Sequence, residues 1–149
     1  MTTERWAFGG RQLLLDKSAW ARSHHPAVRE EWSSAVRASQ IVISPPFLLE
    51  ALYSARNAAD YADSEAEFRQ GFDHVGTDAQ TWSLALRSQQ ELAQVEPSFH
   101  RRPPIDLLLA SIAHQSRLAI LHYDADFDKI SRHTSLKFES EWIAPPGSL

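Results

Sequence analysis

Gln12-Leu13-Leu14-Leu15-Asp16-Lys17-Ser18 places three consecutive leucines directly before a carboxylate. A short, unbroken apolar run marks a strand buried on both faces, the condition of a parallel sheet covered by helices on each side. Two further runs share this character: Gln40-Ile41-Val42-Ile43, closed by Ser44-Pro45-Pro46, and Leu118-Ala119-Ile120-Leu121-His122, leading into Tyr123-Asp124. The stretches between them carry helical signals. A brief helix is expected over residues 17–22, and Pro26 suits the first position of another, with Val28, Trp32, Ala35 and Val36 on one face. Pro45-Pro46 opens a helix through residue 56, apolar at Leu48, Leu52 and Ala55. Tyr61, Glu65, Phe68 and Phe72 recur at helical spacing. A helix over residues 78–94 carries Trp82, Ala85, Leu86, Gln89, Leu92 and Ala93. Pro103-Pro104 starts another, ending near residue 117, and residues 126–133 read as a short one. Leu136-Lys137-Phe138 is expected as a last edge strand. Strands alternating with helices predict an α/β domain with a mainly parallel sheet and helices on both faces.

Composition narrows the function. The chain has 149 residues, 15 Lys+Arg against 19 Asp+Glu, and a net charge of −4. Five Trp, seven Phe and three Tyr are ample core material, so disorder is excluded as the main state. No cysteine is present, which removes disulfides, Cys-ligated zinc and thiol nucleophiles and fits a reducing cytosol. Residues 1–10 are expected as a tail, without the apolar core of a signal peptide, and residues 11–149 as one domain. No run approaches the ~18 apolar residues of a membrane span. A mildly acidic chain does not grip nucleic acid by bulk charge, but it can reach phosphates through metal ions.

Among so many carboxylates, only placement is informative. Asp16 lies at the carboxyl end of the first strand and Asp124 just past the third, the edge where open α/β sheets bind ligands. Each alone also reads as a helix cap. Asp106 shares an apolar stripe with Leu109, Ala110 and Ala113, where a carboxylate is costly unless paired or metal-bound. Its place in a first helical turn is the competing explanation. Glu50, within Leu48-Leu49-Glu50-Ala51-Leu52, reads locally as a surface residue. Asp126 and Asp128 extend Asp124 into an alternating acidic run that lacks the Gly and Glu of a calcium loop. Gly-rich phosphate loops, Gly-x-Ser-x-Gly and His-Glu-x-x-His are absent. His122 reads as a packed or surface residue near a site. Ser18 suits either a cap or the positioning of a metal-bound water.

Four segments, Leu13-Leu14-Leu15-Asp16-Lys17-Ser18, Ser44-Pro45-Pro46-Phe47-Leu48-Leu49-Glu50, Pro104-Ile105-Asp106-Leu107-Leu108-Leu109-Ala110 and Leu121-His122-Tyr123-Asp124-Ala125-Asp126-Phe127, together resemble the PIN-domain ribonucleases. Among these the chain is most similar to the VapC-type toxins of bacterial toxin–antitoxin pairs. The resemblance implies a three-layer α/β/α fold and an acidic site of Asp16, Glu50, Asp106 and Asp124. Asp16, Asp106 and Asp124 would bind metal, with Asp126 an accessory ligand and Ser18 beside them. Lys17 departs from the small or hydroxyl residue usual there, and His122-Tyr123 stand where many relatives carry a hydroxyl residue. No core acid is missing.

Clustered carboxylates repel and call for a divalent cation; hard Mg²⁺, or Mn²⁺ in its place, prefers oxygen ligands. One such ion acidifies a water for attack on phosphorus and a second steadies the leaving oxygen. The expectation is therefore an endoribonuclease that acts on exposed single-stranded RNA. Arg22, Arg29, Arg101, Arg102 and Arg132 are candidates for a basic rim along the RNA. The resemblance further implies a homodimer, cytoplasmic, with a VapB-like antitoxin laid across the site. Trp20, Trp32, Phe47, Tyr53, Tyr61 and Phe68 supply aromatic material for that groove or for the core. The competing readings are a non-catalytic PIN-like module that holds RNA or protein, and another metal-dependent phosphoesterase such as a DNA nuclease.

Overall fold

The three apolar runs lie side by side in the computed structural model, which describes residues 7–149. Strands β1 (Leu13–Leu15), β2 (Ile41–Ile43), β3 (Asp73–His74), β4 (Ala119–His122) and β5 (Glu139–Trp142) form one sheet in the order β3-β2-β1-β4-β5. Every neighbouring pair is parallel, with Leu13 opposite both Ile41 and Ala119. Helices α1 (Lys17–Trp20), α2 (Arg29–Arg37), α3 (Pro45–Tyr53) and α4 (Ala58–Gly71) precede β3 or link the strands before it; α5 (Ala79–Ala93) and α6 (Pro104–Ser116) return the chain to β4, and α7 (Asp126–His133) leads to β5.

Alternation along the strands builds two cores. Leu13, Leu15, Ile41, Ile43 and Leu121 face a cluster with Trp32, Phe47 and Phe68. Leu14, Val42 and Ile120 face Leu92, Leu109, Ile112, Phe127 and Ile130. The first core is aromatic: the Trp20 and Phe68 rings meet edge to face at 5.1 Å, and Phe47 meets Phe68 at 5.3 Å. Trp20, Trp32, Phe47 and Phe68 thus belong to the core, whereas Tyr53 and Tyr61 are exposed.

Local chemistry stops and starts the helices where the strands end. Ser44 caps α3, its hydroxyl accepting the Phe47 N–H, with Pro45 and Pro46 in the first turn. Asn57 caps α4, and Asp78 with Thr81 forms a reciprocal capping box on α5. Arg117 closes α6 in the left-handed region.

Three expectations are corrected. The last strand is Glu139–Trp142, pairing Ala119 with Glu139, not Leu136-Lys137-Phe138. Leu136 instead plugs the second core, and the true edge strand carries charges, which disguise it in sequence while guarding the edge. On α5 the buried face is Thr81, Leu84, Ala85, Ser88 and Leu92; Trp82 and Leu86 point outward. Finally, α2 starts at Arg29 and not at Pro26, with Val28 buried just before it. Strand β3, two exposed polar residues, had no sequence signal. The tail expected over residues 1–10 lies outside the described residues as far as residue 6; Phe8–Gly10 form a short 3-10 turn with Phe8 buried.

Candidate metal centre

Strands β1 and β4 are neighbours, yet the connections leaving them run to opposite sides: β1 leads to β2, β4 to β5. This is the switch point of the sheet, and a crevice opens there at the carboxyl edge. Asp16 follows β1 and Asp124 follows β4, so the two flank it. Helix α6 runs back from that edge to feed the parallel strand β4, which brings its first turn, and Asp106, to the same place. Helix α3, leaving β2 from this edge, carries Glu50.

Asp16 takes the capping role open to it, at the edge of the crevice. It caps α1, its Oδ2 accepting the Ser18 N–H at 3.0 Å and also the Ser18 hydroxyl. Ser18 Oγ in turn accepts the Tyr123 N–H at 2.8 Å, tying the end of β1 to the loop after β4. Oδ1 of Asp16 is buried and has no hydrogen-bond partner among the described residues. Asp106 is only 3% exposed, and its Oδ2 is orphaned in the same way. Buried carboxylate oxygens without partners are costly, and a cation is the ligand that removes the cost.

The electrostatics agree. Burial pushes the Asp106 carboxyl up to about 8, and the charges of Asp16, Asp124, Glu50 and Asp126 add to the effect. Asp16 is raised by burial, against its Ser18 hydrogen bonds, with the Asp124 charge adding to the rise. Glu50 is raised by burial and then by Asp16, while the Lys17 ammonium opposes both. One carboxylate oxygen each from Asp106, Asp124 and Asp126 lie within 4.8 Å of one another. The Asp126 N–H donates to Asp124 Oδ1 at 2.9 Å, which fixes that carboxylate. Asp16 and Glu50 complete the acidic crevice through charge coupling, whereas Asp128 is exposed on α7. The donor set is all carboxylate oxygen, and it fits a hard divalent cation such as Mg²⁺ or Mn²⁺, which would displace the protons those raised groups hold.

The basic residues divide. Arg22 donates to Ser18 O at 2.9 Å and lies 4.2 Å over the Tyr123 ring, forming one wall beside the crevice. Arg29, Arg101 and Arg132 are exposed. Arg102 turns inward, donating to Asp126 Oδ1 at 2.7 Å. Lys17 donates to Ser54 Oγ at 2.9 Å, with its charge acting on Glu50.

These features have counterparts in known proteins. A model of the PIN domain family matches residues 13–133. Ribonuclease VapC18 of Mycobacterium tuberculosis (strain ATCC 25618 / H37Rv) is 38% identical over 138 residues, covering 92% of this chain and 98% of the relative. The chain belongs to the PIN-domain family, among the VapC ribonucleases. Ribonuclease VapC21 of Mycobacterium tuberculosis (strain CDC 1551 / Oshkosh) is 32% identical, covering 92% of this PIN domain chain and 97% of the relative. The DNA-bound VapBC structure from Salmonella typhimurium superposes with a TM-score of 0.69 at 17% identity, covering 90% of this chain and 99% of that one. The Rickettsia felis VapBC2 structure, bound to a promoter DNA fragment, gives 0.64 at 16% identity, with 87% and 98% coverage.

Beside this VapC-family site, Phe99 was missed in the sequence and Arg102 was read only as a candidate for the basic rim. Phe99 and Arg102 precede α6 in a segment with no periodicity, and only the folded chain brings them against α7. His122 is fully buried between the rings of Phe127, at 5.0 Å, and Trp142, at 4.8 Å, and its Nδ1 accepts the Asp124 N–H at 3.1 Å. Burial pulls its imidazole from the ordinary 6.5 down to about 4. Between those values the unfolded chain binds the extra proton. Stability therefore rises with pH across this window and falls as pH drops from 6.5 to 4, by on the order of 2–3 kcal/mol. Asp106 acts with opposite sign in the same range, so the effect is read against His122→Gln. Urea melts from pH 4 to 7 are expected to show the parent losing more stability in acid than the variant; parallel curves would contradict a buried neutral His122.

Proposed function

We propose that the chain is a Mg²⁺-dependent endoribonuclease, with Mn²⁺ as substitute, and the toxin of a type II toxin–antitoxin pair. The observation that carries this reading is the convergence of Asp16, Asp106 and Asp124 at the sheet's switch point, with orphaned oxygens on the first two. Asp16, Asp106 and Asp124 would hold the cation, with Asp126 accessory to them. When bound there, the cation supplies Lewis acidity toward phosphate oxygens and an acidified water for attack on phosphorus. The chain's own residues set the stage for it. Ser18 locks Asp16 Oδ2 in the cap, leaving Oδ1 for the crevice, and the Asp126 N–H orients Asp124. Glu50 is the half-exposed acid at the open side, and its raised proton affinity suits it to take up a proton during hydrolysis. Arg22 and Arg101 would steady the RNA phosphates on either side. We read residues 11–149 as the single catalytic domain.

The partner in this reading is a VapB-like antitoxin, because structures of similar fold are of VapBC assemblies. Exposed Leu49, Tyr53 and Tyr61, beside an apolar cleft of about 340 Å³ between α3 and α4, offer it a seat next to Glu50. A homodimer belongs to the same reading; outward-facing Trp82 and Leu86 are apolar surface beyond what the core uses. Among the described residues no helix is long and apolar enough to cross a membrane, and a cytoplasmic location goes with an RNA substrate.

The test is incubation of antitoxin-free protein with total cellular RNA and Mg²⁺, alongside EDTA and Asp16→Ala controls. Discrete fragments absent from both controls are expected. Fragments that persist in EDTA and in the variant would overturn the reading.

A further inference from the structure

Among the described residues, Arg102 makes the shortest basic contact with the acidic cluster, and its environment is built to hold it there. Its Nη1 lies 2.7 Å from Asp126 Oδ1, and its Nε donates to the Phe99 carbonyl at 3.1 Å. The guanidinium carbon lies over the Phe99 ring, 4.5 Å from its centroid. Phe99 in turn meets His133 edge-on at 5.1 Å. Asp126 sits in the first turn of α7 and His133 is its last residue, so the chain His133–Phe99–Arg102–Asp126 braces the helix at both ends. A cation held over an aromatic face, with directed N–H donors from the same guanidinium, is a use of arginine that lysine does not reproduce.

The contact falls on Oδ1 alone. Lys129 also approaches that same oxygen, at 4.0 Å from its exposed position, while no basic group among the described residues pairs with Oδ2. Arg102 thus holds Asp126 at Oδ1, its Oδ2 makes no hydrogen bond among the described residues, and one carboxylate oxygen of Asp126 lies within 4.8 Å of one each from Asp106 and Asp124. Without Arg102, a carboxylate in the first turn of a short helix beside solvent has nothing rigid to aim it.

We infer that Arg102 is a positioning residue: braced on Phe99, it aims the Asp126 carboxylate so that it joins Asp106 and Asp124 as a ligand for a divalent cation. The inference rests on the divalent-cation reading of the crevice and names the residue that sets its geometry. Arg102 acts through Asp126, not on the substrate.

The experiment is a calorimetric Mn²⁺ titration of the parent, Arg102→Lys, Asp126→Asn and the double variant, each confirmed folded by circular dichroism. Arg102→Lys keeps the charge and loses the flat fork. It is expected to weaken Mn²⁺ affinity about tenfold, the scale of losing an outer partner of a metal ligand. In the Asp126→Asn background the same change is expected to have no further effect. Phe99→Leu, which removes the shelf and keeps Arg102, is expected to weaken affinity in the same direction; it serves if Arg102→Lys does not fold. Unchanged affinity in Arg102→Lys, or equal losses with and without the Asp126 carboxylate, would overturn the positioning role while leaving the cation reading intact. A parent that binds no Mn²⁺ would overturn both.

Discussion

Asp106→Asn is expected to make the metal-free protein more stable and to remove its cleavage of RNA. The raised Asp106 pKa, about 8 against an ordinary 3.8, means the folded chain binds the proton more tightly than the unfolded one. The metal-free fold therefore loses stability as pH rises from 3.8 to about 8, and the loss is complete above that. Asn cannot ionise and keeps the shape of the side chain. Near pH 7 it is expected to add on the order of 2–4 kcal/mol, taking about 1.4 kcal/mol per pKa unit and discounting for relaxation. For a chain of this size that is a rise of roughly 5–10 °C in melting temperature. Cleavage is expected to fall at least about a hundredfold, since even outer partners of metal ligands are worth about 10–100-fold. Thermal melts in EDTA and in excess Mg²⁺ check both halves: the variant melts higher than the parent in EDTA, and Mg²⁺ raises the parent far more than the variant. A variant less stable than the parent in EDTA would show that Asp106 serves the fold as a cap.

Phe68→Ala is expected to be the most damaging single change to the scaffold. Phe68 is 3% exposed and touches Trp20 on α1, Phe47 on α3 and Phe72 at the end of α4. Those contacts hold together the helices that carry Ser18 and Glu50 beside the sheet edge. Truncating a buried Phe costs about 3–5 kcal/mol, through lost transfer energy and the cavity left behind. A fall in melting temperature of roughly 10 °C or more follows for a domain of this length. Phe72→Ala, at a half-buried ring of the same cluster, is expected to cost less. Equal costs at the two positions, measured by urea unfolding, would contradict Phe68 as the keystone of this core.

What was legible in the sequence follows from how each feature is encoded. Leu13-Leu14-Leu15, Ile41-Val42-Ile43 and Ala119-Ile120-Leu121 announced themselves because burial on both faces demands unbroken apolar residues. Their parallel pairing then placed Asp16 and Asp124 on one edge. Asp106 stood out as a carboxylate on an apolar stripe, and it is both a first-turn residue and buried. The edges were opaque. Strands β3 and β5 are polar or charged because they face solvent, and two or four such residues carry no period. The phase of α5 misled because Trp82 and Leu86 are apolar yet exposed, while Thr81 and Ser88 are buried. Thr81 lies against Gln115 and Asp78, and Ser88 donates to the Leu84 carbonyl at 2.8 Å, contacts that only the folded chain reveals. Arg102 was legible as a basic residue near a site, but its inward direction depends on Phe99 and α7, which meet only in three dimensions.

The most direct measurement follows Mg²⁺ binding and RNA cleavage on a single preparation of partner-free protein, with Asp106→Asn beside it. The cation concentration that half-saturates the protein in calorimetry is predicted to match the one that half-activates cleavage, with both signals lost in the variant. Cleavage that proceeds at full rate in EDTA, or survives in a folded Asp106→Asn protein, would contradict the acidic crevice as the seat of the reaction.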